Sequence, residues 1–299
     1  MKKLSLVLFA VENNDYQAAQ VAAAKKAAVR LGVELQVIHI EHSAIAQSQQ
    51  VLELLQRPED RRPSGILFEP VGTPLAQAAR LAASSGVAWV ILNREVDYAA
   101  DLRRQYPTPF FSVSTSHLEV GKIQGQQIAR LLPDGGMMLY IQGPADNAAS
   151  VQRTAGMESA KPANLEVRAL KGLWTEESAR HAVSSWLKLG LAKSHTIGVV
   201  AAQNDMMALG ARQAMQEHTA GTELEGWMNV PFLGCDGLPG TGQNAVRTGL
   251  LTATVVIPPN AGTAIEAVVS AIQTGQQPAQ CIYTSPTSFP PIESLKPRK

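Results

Sequence analysis

The chain has 299 residues, 45% of them hydrophobic, with 26 Lys and Arg against 25 Asp and Glu and two cysteines. That length exceeds what one hydrophobic core normally fills, so two domains or one large α/β unit follow. The even charge balance excludes the electrostatic footprint of a nucleic-acid or anionic-membrane binder, and no apolar run approaches the ~20 residues that cross a bilayer.

The opening MKKLSLVLFAVENNDYQ imitates a secretory leader, since Lys2 and Lys3 precede an apolar run from Leu4 to Val11. No small-x-small cleavage signal follows, and the same run serves as the first strand of an alternating pattern, so it reads as structure. Strand-like runs over 4–11, 34–39, 65–69, 88–92 and 110–113 alternate with amphipathic helices over 16–31, 44–55 and 74–84. Residues 97–108 read as an insertion after Arg94, on the rim of a binding site. Further strands are expected over 137–141, 166–171, 196–201, 230–235, 253–257 and 282–284, and helices over 118–131, 149–160, 176–189, 206–216 and 260–274. The stretch 217–229 lies at the far end of its strand, where Trp227 packs or meets a partner, and the Pro-rich 287–299 reads as a non-globular tail. Alternation of this kind predicts an α/β fold of parallel sheets covered by helices on both faces, and eleven strands are too many for one ordinary sheet.

In open parallel sheets ligands bind beyond the carboxyl ends of the strands. The residues there include Asn14, Tyr16, Glu69, Asn93, Arg94, Gln142, Trp174, Gln203, Asn204, Asp205 and Asp236. Amides, carboxylates and guanidinium forks satisfy the paired donor and acceptor capacity of sugar hydroxyls, and aromatic rings cover the C–H faces. Each position also has a structural reading. Asp205 and Asp236 are either helix N-caps or ligand contacts, whereas Asn204, beside a cap, points to function. Arg94 and Arg153 taken singly are surface ion-pair residues, and Trp174 and Tyr16 core aromatics.

No catalytic, metal or cofactor site emerges. GLPGTG at 237–242 orders its glycines GxxGxG and puts Pro239 where a phosphate-cradling N–H is wanted. LGCDG at 233–237 lacks the first glycine of a nucleophile elbow, His39 and His42 have no third ligand, and Cys235 and Cys281 lack metal-ligand spacing.

Five segments in order carry a resemblance: VILNR at 90–94, SVQRTAG at 150–156, AQNDMMALGA at 202–211, GCDG at 234–237, and GLLTAT at 249–254 leading to Pro258-Pro259. The chain resembles the ribose- and galactose-type periplasmic sugar-binding proteins, whose core is shared with the lactose-repressor family, from Leu4 to about Pro286. The resemblance implies two similar Rossmann-like lobes joined by three hinge crossovers. The lobes would be 1–114 plus 257–284 and 115–256 plus 285–299, with a ligand cleft between them. It further implies ligand contacts from Asn14, Tyr16, Asn93, Arg94, Arg153, Trp174, Asn204 and Asp236. Three positions depart from the family pattern: Gln17 replaces a stacking ring, Asn93 an acid, and Ile257 a hinge glutamine.

The implied function is non-enzymatic binding of a sugar-like small molecule, without cofactor, for an ABC permease or a membrane signalling receptor. The alternative is the effector-binding core of a lactose-repressor-like regulator lacking its DNA-binding head. Direct DNA contact would need a helix-turn-helix of about 50–60 residues before the first strand, which starts at Leu4 here. Family analogy places the protein in the periplasm if a leader has been trimmed. The alternative is the cytoplasm, since no clear cleavable signal peptide is present.

Overall fold

The computed structural model describes residues 4–10, 15–40, 43–71, 75–189, 196–219, 227 and 229–297. The first strands are β1 (Ser5–Ala10), β2 (Glu34–His39), β3 (Gly65–Phe68), β4 (Ala88–Leu92), β5 (Phe110–Thr115) and β6 (Gly136–Gln142). Then come β7 (Leu165–Lys171), β8 (Ile197–Ala202), β9 (Phe232–Asp236), β10 (Ala253–Val256), β11 (Cys281–Thr284) and β12 (Thr287–Phe289). The first helices are α1 (Asp15–Leu31), α2 (Ala44–Leu55), α3 (Ala76–Ser84), α4 (Ala99–Gln105) and α5 (His117–Leu131). They are followed by α6 (Ala148–Ala160), α7 (Glu176–Lys188), α8 (Asp205–Thr219), α9 (Gly242–Arg247) and α10 (Asn260–Thr274).

The chain forms two compact units, Met1–Thr115 with Pro259–Thr284 and Ser116–Pro258 with Ser285–Lys299, so it passes from one to the other three times. In the first unit six strands lie in the order β2-β1-β3-β4-β5-β11, every neighbouring pair parallel. Side chains of period two send Leu6, Leu8, Leu67 and Val90 to one face, against Ala24 of α1 and Ile265 and Val268 of α10. Val7, Phe9, Ile66, Phe68 and Trp89 go to the other, against Val51, Leu54 and Ala79 of α2 and α3. Burial on both faces explains why these strands read as unbroken apolar runs.

The second unit repeats the order as β7-β6-β8-β9-β10-β12, parallel except for the last strand. Met138, Tyr140 and Val199 face Ile128 of α5 and Met157 of α6. Leu139, Ile141 and Val200 face Val183 of α7 and Met207 and Ala211 of α8. In each sheet the strand order reverses beside the first strand, between β1 and β3 and between β6 and β8, which is where doubly wound sheets hold ligands.

Two expectations are corrected. The tail from 287 is not non-globular: β12 pairs antiparallel with β10, Thr254 opposite Phe289, and Leu295 is buried in the core. The Arg130 guanidinium donates to the Leu295 carbonyl at 3.0 Å. The prolines hid this strand, yet a three-residue edge strand that stops at Phe289 needs no N–H from Pro290. Residues 97–108 are likewise no simple insertion, because they contain α4, the β4–β5 crossover helix, whose Ala99 and Leu102 enter the core. Trp227 packs, stacking on Trp186 with ring centroids 5.9 Å apart; the neighbouring 220–226 and 228 lie outside the described residues.

Helices α5 and α6 touch backbone to backbone. A Cβ on Gly121 would stand 2.1 Å from the Arg153 carbonyl oxygen, and one on Gly156 2.0 Å from that of Leu118. Only glycine at these two positions allows this approach. Gly156→Ala is therefore expected to lower unfolding free energy by about 1–3 kcal/mol, read from the urea midpoint. An unchanged midpoint would show that the helices have room to separate.

Candidate functional site

In the second unit the polar groups gather where β6, β8 and β9 end. Asn204 follows β8 and caps α8: its Oδ1 accepts from the Met207 N–H at 2.8 Å, while its Nδ2 donates to the Trp174 carbonyl at 2.9 Å. This corrects the reading that set Asn204 apart from capping. It also removes the cap reading of Asp205, which is the first residue of α8 itself. The Asp205 carboxylate is buried and accepts from the Gly237 N–H at 2.8 Å and the Thr254 hydroxyl at 2.6 Å. Any Cβ on Gly234 or Gly242 would come within 2.2 or 2.0 Å of its oxygens, so both glycines make room for this one side chain. Asp236 is not a cap either, since the residue preceding α9 is Thr241.

Burial, and next the nearby Asp236 charge, push the Asp205 carboxyl well above the usual carboxylate range; the Thr254 and Gly237 hydrogen bonds and the Arg153 charge oppose this. Arg153, on α6, is buried rather than on the surface. Its guanidinium donates to the Gln203 carbonyl, lies 3.4 Å from His117 Nδ1 and 3.8 Å from Asp236 Oδ1, and stands 5.5 Å from the centroid of the Trp174 ring. The Trp174 ring in turn covers Gly143, where a Cβ would meet it at 2.3 Å. Gln203 locks the frame: its Oε1 accepts from the Gly143 N–H at 2.8 Å, and its Nε2 donates to the Tyr140 hydroxyl at 3.0 Å and the Ser150 carbonyl at 2.9 Å. The structure thus brings Arg153, Trp174, Asn204 and Asp236 into one connected group.

The first unit is organised around Glu69, just beyond β3. Its Oε2 accepts from Gln17 Nε2 and from Asn93 Nδ2, each at 3.0 Å. Asn93, just beyond β4, also accepts through Oδ1 from Asn260 Nδ2. Arg94 beside it and Tyr16 in the first turn of α1 are half-buried, and Asn14 lies outside the described residues. Sequence reasoning noted Glu69 only by its strand-end position and passed over Asn260. A carboxylate does stand beside Asn93, supplied from the neighbouring strand.

Three non-glycine residues among those described have left-handed backbone: Asn93 at φ 59°, Trp174 at φ 65° and Asp236 at φ 96°. For a bulky residue such as Trp this is a genuine outlier, and such conformations collect where a side chain must be aimed. Among the described residues no cluster of His, Cys, Asp and Glu could hold a metal ion, and no helix is long and apolar enough to cross a membrane.

A family model described as a periplasmic binding protein domain matches residues 6–277. The chain is similar to a ribose import binding protein of Escherichia coli (strain K12), 26% identical over 255 residues, covering 81% of this chain and 75% of that one. It is also 26% identical over 195 residues to a putative rhizopine-binding protein of Rhizobium meliloti, covering 62% of this chain and 58%, less than two thirds, of that protein. Among solved structures, a periplasmic solute binding protein of an ABC transporter from Actinobacillus succinogenes, with bound D-allose, superposes with a TM-score of 0.82. The superposition covers 96% of this chain and 97% of that one at 22% identity, a likeness of fold.

The raised Asp205 pKa carries a sign. Its contribution to stability is fully present below the unfolded carboxylate pKa of about 3.9 and is lost as pH rises through the raised folded value. Asp205→Asn keeps the size but cannot ionise, so its stability relative to the unsubstituted protein should increase from pH 5 to pH 8. Asp205→Ala, which strands the Gly237 N–H and the Thr254 hydroxyl, should lose about 1–3 kcal/mol. Thermal melts at the two pH values check both, and a pH-independent difference for Asp205→Asn would show that Asp205 ionises as it would in water.

Proposed function

Because the chain belongs to the periplasmic binding protein domain family, we propose that it is a receptor for a sugar or closely related polyol. It holds the ligand without chemical change and hands it to an ABC permease or reports it to a signalling partner in the periplasm. The observation that carries this reading is the left-handed backbone at Asn93, Trp174 and Asp236, three strand-end positions whose side chains suit a polyol. In the second unit Arg153 and Asp236 offer a hydroxyl a donor beside an acceptor, with the partly buried Trp174 ring next to them as an apolar neighbour. In the first unit Glu69, Asn93 and Gln17 form a second such group. On this reading Tyr16, Arg94 and Asn14 supply further ligand contacts.

The relatives' names support the ligand class, since one is a ribose import binding protein and a similarly folded protein has bound D-allose. An uncharged ligand fits the Arg153–Asp236 pair, whose opposite charges offset each other. Thermal shift against D-ribose, D-allose, D-galactose, L-arabinose, xylitol and myo-inositol tests the reading. A ligand at 100 times its Kd adds roughly 2.7 kcal/mol of stability and raises Tm accordingly. Asp236→Asn, which keeps the size but removes the charge, should weaken that ligand by about 1.5–3 kcal/mol, tenfold or more. A panel without any shift, or full affinity in Asp236→Asn, would contradict the proposal.

A further inference from the structure

The Glu69 carboxylate is an acceptor, and that fixes a row of hydrogen bonds behind it. Asn93 must turn its Nδ2 toward Glu69 Oε2 at 3.0 Å, which points its own oxygen the other way. That oxygen accepts from Asn260 Nδ2. Asn260, its Nδ2 turned to Asn93, presents Oδ1 on the other side, where it accepts from the Thr284 hydroxyl at 2.8 Å. With its proton committed, Thr284 Oγ1 accepts from the Thr115 hydroxyl at 2.6 Å. Each amide in the row has one allowed orientation, and reversing any one sets like dipoles against each other along the whole row.

The far end of the row has a distinctive address. Thr115 and Thr284 are the last residues of the first unit before two of the chain crossings, and Asn260 lies one residue after the third. Asn260 itself is completely buried, so it meets neither solvent nor ligand. We infer that Asn260 is a positioning residue for sugar binding. It holds the Asn93 amide with its N–H pair on the Glu69 side, so that a sugar hydroxyl meets Asn93 as donor and Glu69 as acceptor. Through Thr284 and Thr115 it ties that pair to all three chain crossings. The inference rests on the sugar-receptor reading and adds to it a residue that acts through another.

A double-mutant cycle on affinity separates this role from general structural support, because only residues acting through Asn93 lose their effect when Asn93 is truncated. Titration calorimetry with D-ribose, D-allose and myo-inositol is expected to show Kd raised at least tenfold in Asn260→Ala and severalfold in Thr284→Val for whichever of the three binds most tightly. Thr284→Val is nearly isosteric and carries the cycle if Asn260→Ala does not fold. In an Asn93→Ala background neither substitution should change Kd further; equal losses in both backgrounds, or no loss in either, overturn the inference. A protein that binds none of the three sugars counts against the receptor reading instead. The Asn93 side-chain amide protons, followed by nitrogen-edited NMR without ligand, then decide the row alone. Slow solvent exchange that becomes fast in Thr284→Val supports it, and fast exchange in the unsubstituted protein overturns it.

Discussion

The second unit is arranged around one buried carboxylate. Asp205 accepts from the Gly237 backbone after β9 and the Thr254 hydroxyl in β10, so a single side chain at the start of α8 joins the ends of three neighbouring strands. Taking a carboxyl out of water is unfavourable, and the fold answers by placing donors on both oxygens and letting the group retain its proton more readily. Space for it exists only because positions 234 and 242 are glycine. From this anchor the rest follows along the chain: Asn204, one residue earlier, holds the Trp174 carbonyl, and Gln203, one earlier still, receives Arg153. Three consecutive polar residues between a strand and a helix are therefore three fixtures, each gripping a different segment.

The two units meet a similar demand with different chemistry. Both have the same strand order, and both set polar side chains beyond the carboxyl ends near the point where that order reverses. The second unit uses a buried guanidinium held by a carbonyl and a facing carboxylate. The first uses amides in series ending on a glutamate, where orientation is set by matching donors to acceptors. A guanidinium fork keeps its geometry whatever surrounds it, whereas an amide can flip, so the first unit depends more on the buried residues behind its site.

Much of the fold was legible because parallel strands buried on both faces leave an unmistakable mark: apolar runs such as Ser5–Ala10 and Ala88–Leu92 separated by amphipathic helices. The elements that escaped were short or disguised. Helix α4 is seven residues long with only Ala99 and Leu102 turned inward, too few to show a period. Strand β12 lies among prolines whose missing N–H is harmless at an edge. At the candidate site, polar type and strand-end position were readable, but the division of labour was not. Asp205 read equally as a cap or a ligand contact and Asn204 as the functional group, although capping depends on a backbone offset of one residue that a sequence does not display. Asn260 was invisible because it opens a helix, far from Asn93 in sequence, and gains its meaning only from a long-range hydrogen bond.

The central claim is that a sugar lies against the Trp174 ring beside the Arg153–Asp236 pair. Three of the four tryptophans, Trp89, Trp186 and Trp227, are buried in the cores, which leaves Trp174 as the natural reporter. Intrinsic fluorescence should change saturably as the sugar that raises Tm most is titrated in. The change should vanish in Trp174→Phe while that variant still unfolds cooperatively. A saturable change of the same size in Trp174→Phe, or none in the unsubstituted protein, would contradict the account.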